Sequence, residues 1–159
     1  MNEVVILIGS NIHPQQNIRD CLVLLMKSVT IEARSQIWRM RSFGSKGPDF
    51  LNLAVKAQTT LNEKQLKTSV LRNIEDQLGR IRFSNKNAPR TIDLDTIIFN
   101  GSIVDNELWE KAFMAVPVAE LEPSLRHPGS VRNLNEIAEE LKSSEQAELF
   151  IPPEGFFPY

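Results

Sequence analysis

Two aspartates, Asp93 and Asp95, stand one residue apart within the stretch Thr91 to Phe99, the most strand-like part of the chain. Because side chains alternate along a strand, both carboxylates would point to the same face, with Cα atoms roughly 6.5 to 7 Å apart. Such a pair repels itself unless a cation lies between the two groups. We predict Mg²⁺, which takes oxygen ligands from one or two carboxylates and completes its shell with water and phosphate oxygens. The alternative is a half-exposed strand with two solvent-facing aspartates, although Asp is disfavoured in strand interiors.

The loop before this strand is strongly basic. Arg80, Arg82, Lys86 and Arg90 fall within eleven residues that contain no acid. Arginine presents a planar fork that matches phosphate oxygens, so the loop predicts a clamp for a polyphosphate beside the bound cation. A solvated basic loop without a ligand is the alternative interpretation.

Composition limits the classes of function. The chain has 159 residues and a net charge of −2, which argues against a general binder of nucleic acids. We expect one domain spanning 1–159, without a membrane span and with no evident protein partner. The single cysteine, Cys21, excludes an internal disulfide and favours a reducing, cytoplasmic location. No G-x-x-x-x-G-K-S/T motif occurs, so a nucleotide would not be held by a P-loop.

The periodicity of apolar residues predicts the elements that position these groups. Their order is strand, helix, strand, strand, helix, strand, which predicts a ferredoxin-like α+β sandwich with an antiparallel sheet and helices on one face. Asn62 and Gln65 resemble a capping box, and Asn100-Gly101 is a strong hairpin signal. The predicted strands are Val4 to Leu7, about Val29 to Trp38, Phe50 to Ala57, Thr91 to Phe99 and Phe113 to Val116, and the predicted helices cover Ile18 to Val29, Asn62 to Leu78 and Leu134 to Leu141.

Four segments resemble the 6-hydroxymethyl-7,8-dihydropterin pyrophosphokinases of folate synthesis. The most specific is Pro89 to Asp95, which nearly repeats the family signature P-R-T-[IL]-D-[LI]-D. Three others occur in the family order, and together the matches cover roughly residues 3 to 101: Ile8 to Asn11, Pro48 to Val55, and Glu75 with Leu78 to Arg82. The resemblance implies a ferredoxin-like fold and transfer of pyrophosphate from ATP to the hydroxymethyl oxygen of the pterin, with release of AMP.

The resemblance also implies roles for individual residues. The aspartates matching Asp93 and Asp95 bind magnesium, two ions in that family, in a reaction that asks the protein mainly to neutralise charge. The positions implied for catalysis are Arg80, Arg90, Asp93 and Asp95, and those implied for ATP are Glu75, Arg82 and Lys111. The positions implied for the pterin are Phe43, Gly44, Phe50, Asn52 and Phe113, although Phe50 and Phe113 could instead be ordinary core residues.

The segment after the aspartate strand departs from the family pattern. Gly101 to Phe113 lacks the Pro-His element of other members, and Lys111 stands where they carry an arginine. Lysine keeps the positive charge but loses the bidentate fork. Two other hypotheses therefore stay open: a divergent relative that binds a pterin or a nucleotide with little turnover, and a related transferase that acts on a different pterin.

Overall fold

A computed structural model of the chain describes residues 1–41, 47–84 and 88–159. One antiparallel sheet of seven strands runs through this part of the chain, in the order β6-β5-β1-β4-β3-β7, with β2 also paired to β4. The strands are β1 (Asn2–Ser10), β2 (Thr30–Arg34), β3 (Ile37–Met40), β4 (Phe50–Thr59), β5 (Asp93–Phe99), β6 (Ser102–Ile103) and β7 (Glu148–Phe150).

The predicted ferredoxin-like core is confirmed. Strand β1 is central and pairs with β4 on one side and with β5 on the other, both antiparallel. The single strand predicted from Val29 to Trp38 is two strands, β2 and β3, which are separated at Ser35. The side chain of Ser35 is buried and hydrogen-bonds to the backbone. Its hydroxyl accepts a hydrogen bond from the Ala54 N–H at 2.9 Å and donates to the Gln36 carbonyl at 2.7 Å, which interrupts the ladder.

One face of the sheet carries two of the three predicted helices, and the third, predicted from Leu134 to Leu141, lies on the other face. Helix α1 spans Pro14–Leu25. The second is a continuous composite helix made of α2 (Glu63–Gln65), a π-helical segment (Leu66–Leu71) and α3 (Arg72–Gln77). The predicted capping box begins it, since the Gln65 N–H donates to Asn62 Oδ1 at 2.8 Å and the Asn62 N–H to Gln65 Oε1 at 3.0 Å. Leu66, Val70 and Ile74 of this helix are buried against the sheet, as predicted.

The other face of the sheet corrects two predictions. Helices α4 (Ala112–Leu121) and α5 (Leu134–Ser144) pack there, so helices cover both faces rather than one. The predicted strand Phe113 to Val116 was wrong, because these residues lie within α4. A short run that is apolar on every side fits a buried helix as well as a buried strand, and the periodicity cannot separate the two.

The C-terminal segment is tied to the sheet and to helix α1. Strand β7 pairs with β3, and the side chain of Phe156 is buried beside helix α1. Arg19 Nη1 donates to the Gly155 carbonyl at 2.8 Å. The guanidinium of Arg34 lies 3.4 Å from the ring centre of Phe157. In the described part of the chain, no helix combines the length and the apolar character needed to cross a membrane.

Candidate active site

Asp93 and Asp95 lie on the same face of β5, as strand alternation predicted, and this face looks toward α4. The residue between them, Leu94, points the other way and is buried in the core beneath α1 and the composite helix. Strand β1 runs alongside, so that Gly9 is opposite Asp93 and Leu7 is opposite Asp95. Both carboxylates are half-buried, which suits groups that hold a ligand rather than face bulk water.

The arginines of the basic loop reach Asp93 directly. Arg80 Nη1 contacts Asp93 Oδ1 at 2.5 Å, and Arg90 Nη1 contacts Asp93 Oδ2 at 3.2 Å. The side chains of both arginines are largely buried, at 16% and 19% exposed. The two cations are thus fixed next to the aspartate pair.

Glu75 lies behind the arginines and is only 4% exposed. Its carboxylate accepts hydrogen bonds from Arg80, from Arg82 Nη2 at 2.7 Å and from the Leu94 N–H at 3.0 Å. Burial raises the pKa of Glu75, while the hydrogen bond from Leu94 and the charge of Arg80 oppose that rise. The carboxylate oxygens of Glu75 thus hold the side chains of Arg80 and Arg82 in place beside β5. A direct contact between Glu75 and ATP stays a prediction.

Asp95 carries an unfavourable negative charge in the folded chain. Burial, together with the carboxylates of Asp93, Glu75 and Asp105, raises its pKa to about 7, and the charge of Arg80 opposes this. A cation bound between the two aspartates would relieve the repulsion. The described residues contain no group of three or more acidic, histidine or cysteine side chains able to hold a metal. Two carboxylates without further protein ligands fit Mg²⁺, which fills its remaining positions with water and substrate phosphates.

A cavity of about 320 Å³ opens on one side of the aspartate pair. It brings together three residues implied for the pterin, Phe50, Asn52 and Phe113. Lys111, implied for ATP, lies in this cavity as well. The full lining in the described residues is Leu7, Gly9, Met40, Arg41, Phe50, Asn52, Arg90, Asp93, Asp95, Glu107, Lys111 and Phe113. Phe43 and Gly44, also implied for the pterin, lie outside the described residues.

A second cavity of about 570 Å³ opens on the other side and is basic. Its lining includes Arg80 and Arg82, and it shares Arg90, Asp93 and Asp95 with the first. The remaining lining residues in the described chain are Ile81, Phe83, Ala88, Pro89 and Asp105. A ligand with several phosphates in this cavity would therefore reach the floor of the first cavity at the aspartates.

Asn52 offers hydrogen bonds to a ligand in the first cavity. Its side chain is 3% exposed, and within the part of the chain that the structure describes its Nδ2 donates to no acceptor. A buried amide donor without an acceptor is costly unless a ligand supplies one. Phe50, on the same face of β4, has the Arg90 guanidinium 5.7 Å from its ring centre, which places the aromatic wall of the first cavity beside the basic cavity.

Asn11 connects the two loops that border the site, and sequence reasoning did not identify it. Its Oδ1 accepts from the Arg90 N–H at 2.8 Å, and its Nδ2 donates to the Pro48 carbonyl at 3.1 Å. The Asn11 N–H also donates to the Arg90 carbonyl at 3.2 Å. The sequence signal that could have identified Asn11 as a site residue was its place at the end of the matching segment Ile8 to Asn11. Glu107 and Asp105, which line the cavities, were likewise missed.

Comparison with known protein families decides the assignment. The model of the 7,8-dihydro-6-hydroxymethylpterin-pyrophosphokinase (HPPK) family matches residues 5–123. The chain belongs to the HPPK family. This match confirms the family predicted from the four sequence segments. HPPK enzymes are ATP-dependent diphosphotransferases of folate biosynthesis.

Curated relatives agree with this assignment. The chain is 30% identical to the 2-amino-4-hydroxy-6-hydroxymethyldihydropteridine pyrophosphokinase of Synechocystis, over 86% of this chain and 75% of that protein. It is 33% identical to the protein of the same name from Bacillus subtilis, over 76% of this chain and 79% of that protein. In the folic acid synthesis protein of Dictyostelium discoideum, by contrast, the 29% identical match spans only 20% of the relative.

Solved structures support the HPPK fold. The wild-type HPPK-DHPS of Plasmodium falciparum superposes with a TM-score of 0.69 at 11% identity, over 93% of this chain and 48% of that chain. A structure of that protein with SDX-DHP gives 0.68 at 13% identity, over 90% and 44%. At these identities the likeness concerns the fold alone.

Proposed function

We propose that this HPPK-family chain transfers pyrophosphate from Mg-ATP to the hydroxymethyl group of 6-hydroxymethyl-7,8-dihydropterin. The hydroxymethyl oxygen attacks the β-phosphorus, the bond from that phosphorus to the α–β bridging oxygen breaks, and AMP leaves. The observation that carries the proposal is the position of Asp93 and Asp95, which lie where an aromatic, amide-bearing cavity meets a basic one. One substrate in each cavity would bring the reacting groups together at these carboxylates.

The metal requirement follows from the charges at this junction. Asp93 and Asp95 would hold magnesium, two ions in this proposal, together with phosphate oxygens of ATP. When bound, magnesium would neutralise the negative charge that develops on the transferred and leaving phosphate groups. The raised pKa of Asp95 supports this role, because burial and the neighbouring carboxylates disfavour its negative charge and a bound cation would offset both effects.

The basic residues would orient the triphosphate. Arg80 and Arg90 are already held by Asp93, and Arg82 is held by Glu75. Such fixed guanidinium groups need little reorganisation when phosphate charge moves during transfer. Lys111 extends the positive charge into the first cavity, where we propose that it meets the transferred pyrophosphate.

The first cavity would hold the pterin. We propose that Phe50 and Phe113 contact its flat ring and that the Asn52 amide binds the polar ring edge. Phe43 and Gly44 stay part of the proposed pterin site on the family resemblance alone. The hydroxymethyl proton would leave to a carboxylate of the aspartate pair or to water. A cytoplasmic location belongs to the same proposal and is supported by the free, buried thiol of Cys21.

A second candidate is a protein that binds these ligands with little turnover. The segment that replaces the Pro-His element of other HPPK members favours it, because Leu108 and Trp109 anchor that segment in the core at 0% and 9% exposure. An anchored segment cannot easily close over a nucleotide. A related transferase acting on a different pterin is the third candidate.

Chromatographic detection of AMP separates these candidates. The purified chain, Mg-ATP and 6-hydroxymethyl-7,8-dihydropterin should release AMP, and Asp95→Asn should abolish the release. Asp20→Asn on helix α1 is the matched control and should keep full activity. Tight binding of the pterin without any AMP would favour the second candidate, and AMP release with another pterin only would favour the third.

A further inference from the structure

Gly9 occupies a position where glycine has no conformational advantage. It lies near the end of the central strand β1, between Asn52 of β4 and Asp93 of β5. Its φ is outside the left-handed region, so other residues could adopt this backbone. Glycine inside a strand is destabilising relative to alanine, and it often marks a site of close approach.

The close approach at Gly9 is made by Asn52. A Cβ on residue 9 would lie 2.6 Å from Asn52 Oδ1, 3.7 Å from Asn52 Cγ and 3.8 Å from Phe50 Cδ1. The first distance is far inside van der Waals contact, whereas the other two are ordinary. The Asn52 carbonyl oxygen therefore points at the bare backbone of Gly9, and a methyl group there would force the amide to rotate or lift.

We propose that Gly9 is a positioning residue that sets the orientation of the Asn52 amide and thereby the recognition of the acceptor substrate. The inference rests on the proposed pterin site and deepens it. With the Asn52 carbonyl oxygen directed at Gly9, the unpartnered Nδ2 of the same amide is held in one direction. A donor fixed in this way selects a ring whose edge presents an acceptor to it.

Gly9→Ala, Asn52→Ala and the double variant test this coupling in binding. Gly9→Ala should weaken binding of 6-hydroxymethyl-7,8-dihydropterin at least tenfold, measured by calorimetry, with the affinity for Mg-ATP changed less than twofold. In the Asn52→Ala background the same change should alter pterin affinity less than twofold. Gly129→Ala is the matched control, because a Cβ there meets its nearest atom at an ordinary 3.5 Å from the His127 ring. Unchanged pterin binding in Gly9→Ala, or a full tenfold loss in both backgrounds, would overturn the proposal.

Thermal unfolding tests the same contact without any ligand, and so separates this inference from the proposed function. Gly9→Ala should lower the Tm by about 3 °C or more when Asn52 is present and should leave it unchanged or raise it in Asn52→Ala. A single variant that fails to fold, beside a double variant that folds, supports the contact. Failure of both to fold means that glycine is required for another reason and contradicts the proposal. A wild-type chain that binds no pterin, with this pattern of Tm values, refutes the proposed function alone.

Discussion

The aspartate pair should show a conflict between stability and function. In the absence of a metal, Asp95 bears a charge that its surroundings disfavour, whereas Asp93 is held by Arg80 and Arg90. The same substitution at the two positions should therefore have opposite effects. Asp95→Asn should stabilise the metal-free chain, and Asp93→Asn should destabilise it.

The magnitude follows from the pKa of Asp95. That pKa is about 7 in the folded chain against an ordinary value of 3.8, which at 1.36 kcal/mol per pH unit corresponds to about 4 kcal/mol of destabilisation above pH 7. Solvent reaches the half-buried carboxylate, and Asn still buries a polar amide, so we expect a net gain of about 2 kcal/mol for Asp95→Asn. For a chain of this size, this raises the Tm by about 4 to 8 °C. Asp93→Asn should cost about 1 kcal/mol, because two partly buried arginines lose a partner.

The pH dependence has a definite sign. Between pH 3.8 and 7 the folded chain holds a proton on Asp95 that the unfolded chain has released, so wild-type stability falls as the pH rises through this window. Well below pH 3.8 the carboxyl is neutral in both states. The stability difference between Asp95→Asn and wild type should thus be small at pH 4 and complete at pH 8.

Urea unfolding in EDTA, followed by circular dichroism at several pH values, measures these differences. Asp20→Asn again serves as the control and should show no such pH-dependent gain. A second arm with Mg-ATP should stabilise wild type but neither site variant, because a ligand that binds only the folded state raises its stability. If Asp95→Asn is less stable than wild type at pH 8 in EDTA, the charge of Asp95 is not disfavoured in the folded chain and Asp95 is an ordinary structural residue.

Four further substitutions test the surroundings of the aspartates. Arg90→Lys should lower kcat at least tenfold and change the free energy of unfolding by less than about 1 kcal/mol, since lysine keeps the charge but not the fork; an unchanged kcat would make the basic loop a solvated surface. Glu75→Gln should cost about 2 kcal/mol in urea unfolding and raise the KM for ATP, because a buried partner of Arg80 loses its charge; unaltered stability would contradict the positioning role. Asn11→Ala should raise the KM for both substrates and cost about 1 to 3 kcal/mol through lost buried hydrogen bonds, and an effect on one KM alone would show that Asn11 does not couple the two loops. Lys111→Arg should raise kcat/KM for ATP, since it restores bidentate contact; no change would place Lys111 away from the phosphates.

Local patterns predicted the elements that carry the chemistry. Strand β5 and the common face of Asp93 and Asp95 follow from alternation, which depends only on neighbouring residues. The capping box of the composite helix and the Asn100-Gly101 turn are also local: both turn residues have positive φ, 49° and 80°. These features were correct because no distant contact is needed to specify them.

Features set by packing were not predictable in the same way. Helix α4 was mistaken for a strand because its apolar run lacks a polar face that would reveal its period. The link from Asn11 to Arg90 and the contact of Asn52 with Gly9 depend on the register of β1 with its two neighbours. A single sequence does not encode that register in any local motif. The residue types of the site could be listed in advance, whereas their division between two cavities could not.

Phosphorus NMR of the complete reaction distinguishes transfer of an intact pyrophosphate at Asp93 and Asp95 from stepwise phosphoryl transfer. With Mg-ATP and 6-hydroxymethyl-7,8-dihydropterin, we predict that AMP and a pterin diphosphate ester appear together in equal amounts, without ADP. The signals should be absent with Asp95→Asn or with EDTA. Formation of ADP, or a pterin monophosphate as the first product, would show stepwise phosphoryl transfer and contradict transfer of an intact pyrophosphate at the aspartate pair.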